Sequence, residues 1–273
     1  MGYDIIVLAG QSNAEGTGLG EGPVFVQDER ILRLYDPQDN GFEANEAGEM
    51  ILKVKKPWSF LISNAEERMC DGIVRASFGL WFAKLYIERG FLKQGRKILM
   101  INAAVGGTGF TRHHWGRGDI LSDRLYDMLD TALVEKDSKI VAFLWHQGEH
   151  DVFENIGMPQ EQLYEKYRKS LFTLFNDVKN RYSKFSFPFI AGGFVDEYQL
   201  LEDRAGCAVV LKATESVCVE LGNAAVASGA GLLSNNQVSG NGDDVHFSRQ
   251  SLYIFAERYF QKYLELCCIE KKV

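Results

Sequence analysis

The sequence predicts a three-layer α/β/α fold built on a central parallel sheet of about five strands. Three observations lead there. Short, continuously apolar runs recur along the chain. The stretches between them carry apolar residues at three- and four-residue spacing. The segments that stand out chemically fall at or beyond the ends of apolar runs. A run with no polar alternation fits a strand buried on both faces, as in a parallel sheet covered by helices. Strand and helix in alternation then give a doubly wound architecture, which binds ligands at the carboxyl ends of its strands where strand order reverses.

Taken in order, the first strand is Ile5 to Ala9, ending at Gly10. The stretch that follows fits the alternation poorly. Ile31 to Tyr35, then Asp39-Asn40-Gly41, reads as a hairpin, because Asn-Gly favours a tight turn; a hairpin insertion beside the site is expected near residues 31–58. Phe78, Trp81, Phe82, Leu85 and Tyr86 mark a helix, and Lys97 to Asn102 a second strand. Leu121, Leu125, Met128, Leu129 and Ala132 mark another helix, before a third strand at Ile140 to Trp145. Gln160 to Tyr182 is helical in period, Pro188 to Gly193 is a fourth strand, and Ala224 to Ala227 a short fifth. Leu252, Phe255, Tyr259, Phe260 and Tyr263 line a last amphipathic helix, spaced as a packed face rather than a cofactor box. No repeat or linker interrupts the pattern, so one domain over 1–273 is expected.

The composition, 46% hydrophobic and 25% charged over 273 residues, suffices for one well-covered core. A net charge of -7 argues against nucleic acid, which requires a concentrated basic face. The short run Lys53-Val54-Lys55-Lys56 reads as a solvated loop. The five cysteines have neither disulfide nor zinc spacing. With no leader-like segment and no apolar run of membrane length, the expectation is a soluble, cytoplasmic protein with no membrane partner.

Four segments carry the chemistry. After the first strand comes Gly10-Gln11-Ser12-Asn13-Ala14-Glu15-Gly16, where glycines allow a sharp turn presenting Ser12; Ser12 reads as a nucleophile or as a helix cap. After the second comes Gly106-Gly107-Thr108-Gly109, where a backbone N–H can face a ligand closely. A plain turn is the rival there, and no phosphate-loop lysine follows. After the third comes His146-Gln147-Gly148-Glu149-His150, polar groups that need partners at a buried strand end. A metal site on His146 and His150 lacks the usual spacing, and both read as structural histidines. The fourth is Asp243-Asp244-Val245-His246, in which Asp243 can hold one imidazole nitrogen while the other faces a nucleophile. Together these supply a serine, a base with its carboxylate, and backbone donors, the set for acyl transfer. Trp115, close behind Gly109, reads as a sugar-stacking ring or a buried structural one.

Gly10 to Asn13, Gly106 to Thr108, Gln147 to Glu149 and Asp243 to His246, in that order, resemble the sequence blocks of the SGNH hydrolases. The branch most similar holds carbohydrate esterase family six and the sialate O-acetylesterases. That resemblance implies a flavodoxin-like fold and a serine esterase acting on acetylated sugars, such as xylan-type oligosaccharides or O-acetyl sialic acid, without metal or organic cofactor. It implies Ser12 as nucleophile, His246 as base, and an oxyanion hole from the N–H groups of Ser12 and Gly107 and the Gln147 amide. Asp243 is the expected partner of His246, with Glu149 the alternative; Gln11, Asn13 and Glu149 are expected to support the site. A short-chain esterase or thioesterase, or a sugar-binding protein that has kept the fold without catalysis, are the alternatives.

Overall fold

Among the described residues, seven strands, two more than the sequence predicted, form the main sheet. The structure is a computed structural model that describes residues 2–37, 41–48 and 50–270. The first half of the chain holds β1 (Tyr3–Gly10), the one-turn helix α1 (Ser12–Glu15), β2 (Ile31–Tyr35), β3 (Phe42–Ala44), β4 (Met50–Leu52), β5 (Leu61–Asn64), β6 (Arg68–Cys70), β7 (Ile73–Arg75) and α2 (Phe78–Glu88). The second half begins with β8 (Lys97–Asn102), α3 (Ile120–Ala132), β9 (Lys139–His146), α4 (Glu149–Glu154) and α5 (Gln160–Arg181). It continues with β10 (Phe189–Gly192), α6 (Asp196–Gln199), α7 (Gly206–Leu221), β11 (Ala224–Ala227), α8 (Asn235–Ser239) and α9 (Arg249–Glu270). The sheet order is β11-β10-β9-β1-β8-β2-β5. All neighbours are parallel except β2 and β5, which pair antiparallel.

The hairpin insertion expected near residues 31–58 is present, but its arms are not those expected. Ile31 to Tyr35 is not its first arm but a strand of the main sheet, parallel to β8. Ile31 and Leu34 are buried in the core, which ties the strand to the sheet rather than to a surface hairpin. Asp39 and Asn40 of the expected turn lie outside the described residues. A small hairpin does form further on, from β3 and β4, and a second from β6 and β7.

Alternation along β9 shows why the sheet carries helices on both faces. Phe143 and Trp145 point to one side and pack on Phe175 of α5. The His146 ring points to the other and meets Phe78 of α2 and Phe255 of α9. Successive strand residues face opposite sides, so a strand apolar throughout can be satisfied only this way.

β1 is buried from Asp4 to Gly10 and sits where strand order reverses. The chain leaves it toward β2 and β8 on one side, then crosses to β9 on the other. The registers Leu8 with Asn102 and Gly10 with His146 bring the carboxyl ends of β1, β8 and β9 side by side. The loops after these three strands therefore open at one place. Among the described residues, no helix is long and apolar enough to cross a membrane.

Candidate active site

Ser12 stands in a turn that the neighbouring strand forces. Gln11 N–H donates to His146 O at 2.8 Å, and Ala14 and Glu15 N–H return to Gln11 O. At Gly10 the backbone has φ +121°, and a Cβ would lie 2.0 Å from His146 O, so no other residue fits. The turn holds Ser12 Oγ 2.8 Å from Nε2 of His246. The other imidazole nitrogen, Nδ1, lies 2.8 Å and 3.0 Å from the two carboxylate oxygens of Asp243. Burial opposes the charge of Asp243, but the His246 ring and the Asn235 amide hold its pKa below the ordinary value.

Helix α8 supports that carboxylate. Ser234 accepts from Gln237 N–H, and the Gln237 side chain accepts from Ser234 N–H, a reciprocal cap that satisfies two otherwise orphaned donors. The capped turn presents Asn235, whose Nδ2 donates to Asp243 at 2.8 Å and whose backbone N–H holds His246 O. Asn235 and Asn236 were not singled out from the sequence. The signal was there: Ser234-x-x-Gln237 is a helix-start signature.

Asn13 joins the serine turn to the histidine loop. Its Nδ2 donates to Glu149 at 2.8 Å and to Val245 O at 3.2 Å, and its Oδ1 accepts from Phe247 N–H. Glu149 is buried and reaches His146 Nε2 at 2.8 Å, not His246. Of the two carboxylates expected beside the base, Asp243 is therefore the one in contact. Burial works against the Glu149 charge, but His146 and Asn13 more than offset it and lower its pKa.

The loop after β8 is held from below. Glu15 accepts from Gly106 N–H at 2.9 Å and pairs with Arg68 at 3.1 Å. Burial raises the Glu15 pKa despite Arg68. Among the described residues, neither the Ser12 nor the Gly107 N–H has a protein acceptor, and both residues line the cleft.

Two expected roles are corrected. Gln147 is only 3% exposed, and its Nε2 lies 2.7 Å from Asp151 and 3.2 Å from both Gln11 Oε1 and Thr108 O. Asp151, one turn further along α4, draws the amide inward, so its hydrogens are committed within the protein. Trp115 is 0% exposed, donates to Thr108 Oγ1 and packs edge-on against Trp145. It is a core ring and has no face to offer a sugar. Gln11, by contrast, lines the cleft, and its orientation is set by its surroundings. Its Oε1 takes N–H groups from His150 at 3.2 Å and Gly148 at 3.4 Å, which leaves Nε2 directed elsewhere, with no acceptor among the described residues.

The cleft over Ser12 has a volume of about 400 Å³, and Phe153, Tyr198, Arg204, His150 and Val245 complete its wall. It adjoins, at Gly107 and His150, a space of about 520 Å³ walled by Phe42, Met50, Ile51 and Leu52 on one side and Arg112 and His114 on the other. Burial and the neighbouring His150 push the His114 pKa down to about 4. Phe153, Tyr198 and Arg204 were not anticipated, since they come from α4 and from α6 and the loop after it, where no motif marks them.

A family model described as carbohydrate esterase, sialic acid-specific acetylesterase, matches residues 2–265. No curated protein matches the chain. Among solved structures, a protein from Arabidopsis thaliana superposes with a TM-score of 0.69 at 18% identity, over 97% of this chain and 99% of its own. NanS superposes with a TM-score of 0.71 at 15% identity, over 98% of each chain. The acetylxylan esterase Axe2 from Geobacillus stearothermophilus gives 0.47 at 10% identity, over 96% and 95%.

Proposed function

Because the chain belongs to the sialic acid-specific acetylesterase family of carbohydrate esterases, we propose that it removes O-acetyl groups from sugars, sialic acids foremost, through an acyl-enzyme on Ser12. The observation that carries this reading is the unbroken contact from Ser12 Oγ through the His246 ring to Asp243.

In this mechanism Ser12 Oγ attacks the ester carbonyl while its proton passes to His246 Nε2. A serine hydroxyl is a poor nucleophile near neutral pH, so the reaction needs that base. The ionised Asp243 fixes the ring tautomer and stabilises the imidazolium. The N–H groups of Ser12 and Gly107 receive the oxyanion, and Gln11, rather than Gln147, offers the third donor. Each such donor lowers the barrier by on the order of 3 kcal/mol. His246 then gives its proton to the departing sugar oxygen as the C–O bond breaks, leaving acetyl-Ser12. Water, deprotonated by His246, attacks that ester; acetate leaves and the proton returns to Ser12.

A Ser12→Ala variant is expected to lose at least about 10³-fold in kcat on p-nitrophenyl acetate and on O-acetylated sugars. Hydrolysis at the parental rate would end the serine mechanism. One feature favours a second reading, esterase activity on longer acyl chains: the apolar wall of Phe42, Met50, Ile51 and Leu52 beside Gly107. A chain-length series of p-nitrophenyl esters separates the two, since preference for chains of eight or more carbons would displace the acetylesterase.

A further inference from the structure

Glu15 ends the one-turn helix that begins with Ser12, and its carboxylate reaches the loop after β8. One oxygen accepts the Gly106 N–H at 2.9 Å, and the other faces the Arg68 guanidinium of β6 at 3.1 Å. The side chain is only 8% exposed. A buried carboxylate is costly, and here the cost is not fully offset, since burial outweighs Arg68 and raises the Glu15 pKa. The loop it holds is not rigid on its own account. A Cβ at Gly106 would lie 3.0 Å from that carboxylate and 3.4 Å from Ser12 Cβ, and Gly107 has φ +71°. Both positions therefore favour glycine, the residue with the most backbone freedom to lose. The flanks of the pair are tied: Val105 N–H donates to Gly10 O at 3.1 Å, and Thr108 Oγ1 donates to Val105 O at 2.7 Å. Between them, the bond from Gly106 N–H to Glu15 joins the glycines to the turn that carries Ser12.

The Gly107 N–H is the next donor along the chain, separated from the Gly106 N–H by a single pair of backbone angles. Donors stabilise an oxyanion when they are already aimed where its charge develops, and a misplacement of about 1 Å can cost about 10²-fold in rate. We propose that Glu15 is a positioning residue of the reaction: set on the same helical turn as Ser12, it holds Gly106 and so fixes the spacing of the Ser12 and Gly107 N–H groups that receive the oxyanion. This rests on the acyl-enzyme reading above and adds to it the side chain that keeps two backbone donors, from loops after different strands, in one frame. Glu15 stands behind the cleft over Ser12 rather than on its wall, and acts through Gly106.

The test uses p-nitrophenyl acetate as substrate and methylboronic acid as inhibitor, whose boron bonds to a serine oxygen and places a negative oxygen where the ester oxyanion forms. Glu15→Ala is expected to lower kcat by about 10²-fold, with KM within about threefold of the parental value. It should also weaken inhibition by methylboronic acid at least about tenfold, since the inhibitor imitates the transition state. Arg68→Met removes the ion pair but leaves the bond to Gly106; it should lower the denaturation midpoint yet keep kcat within about fivefold of the parental value. A folded Glu15→Ala variant with parental kcat, a loss confined to KM, or unchanged inhibition by the boronic acid overturns the proposal. So does an Arg68→Met loss in kcat as large as that of Glu15→Ala. If the alanine variant does not fold, Glu15→Asp, one methylene short of Gly106, must lower kcat at least about tenfold, and a parental kcat there overturns the proposal equally. Failure of the underlying reading would show separately, as Ser12→Ala still cleaving p-nitrophenyl acetate.

Discussion

Asp243 is held by two groups, the His246 ring it orients and the Asn235 amide behind it. Replacing it with asparagine keeps the size of the side chain but lets the ring take the wrong tautomer. Asp243→Asn is expected to lower kcat by about 10⁴-fold with little change in KM; a loss confined to KM would mean the carboxylate binds substrate instead. Asn235→Ala removes the amide contact to that carboxylate together with the bonds of the same side chain to Thr17 O and Leu19 N–H, and at least about a tenfold loss is expected, since one hydrogen bond alone is worth about that much. His114 makes a different prediction. Its pKa is about 4 in the folded chain against an ordinary 6.5. Between these values the unfolded imidazole binds a proton that the folded one does not. Its contribution to stability is therefore present at neutral pH and is lost as pH falls from 6.5 toward about 4. Urea unfolding across that range should show a shallower decline for His114→Gln than for the parent protein.

At the scale of elements, the meeting of β1 and β9 is the least tolerant place in the fold. Gly10→Ala would drive a methyl into His146 O and strain a positive φ, so a loss of at least about 4 kcal/mol is expected, or failure to fold. A denaturation midpoint close to the parental one would contradict this close approach. The elements legible in the sequence were the continuous apolar runs: β1, β8, β9, β10 and β11 stand as expected. β2 was misassigned because its burial is mixed, with Arg33 and Tyr35 half-buried, a pattern that also suits a surface hairpin. The short β5 exposes Leu61 and Ile62 at the sheet edge and carries no periodic signal. The same divide runs through the site. Ser12, Gly107, Asp243 and His246 lie in glycine turns or close sequence spacing, which local patterns report. Whether Gln147 or Gln11 offers an amide to the cleft depends on Asp151, and that choice is made only by packing.

Across the whole molecule, the site is assembled from loops that only tertiary contacts keep together. One tie is the pair between Glu67 and Arg249, whose side chains are 4% and 8% exposed. Arg249 begins α9, just after the His246 loop, and also donates to Val74 O, so it fastens the β6–β7 hairpin to the last helix. Breaking one member of such a pair leaves a buried charge alone. Glu67→Gln is therefore expected to cost about 3–5 kcal/mol in urea unfolding. A change below about 1 kcal/mol would show the pair to be an ordinary surface bridge.

The hydroxyl and the imidazole that meet in the cleft are 234 positions apart in the chain. A ribosome making this protein therefore exposes the serine well before it supplies the imidazole that meets it. On the proposed mechanism, a nascent chain still short of Asp243 and His246 lacks the base that activates that hydroxyl, and such partial translation products should be chemically silent toward esters. On that mechanism competence arrives in one step, when the segment after α8 meets the turn after β1.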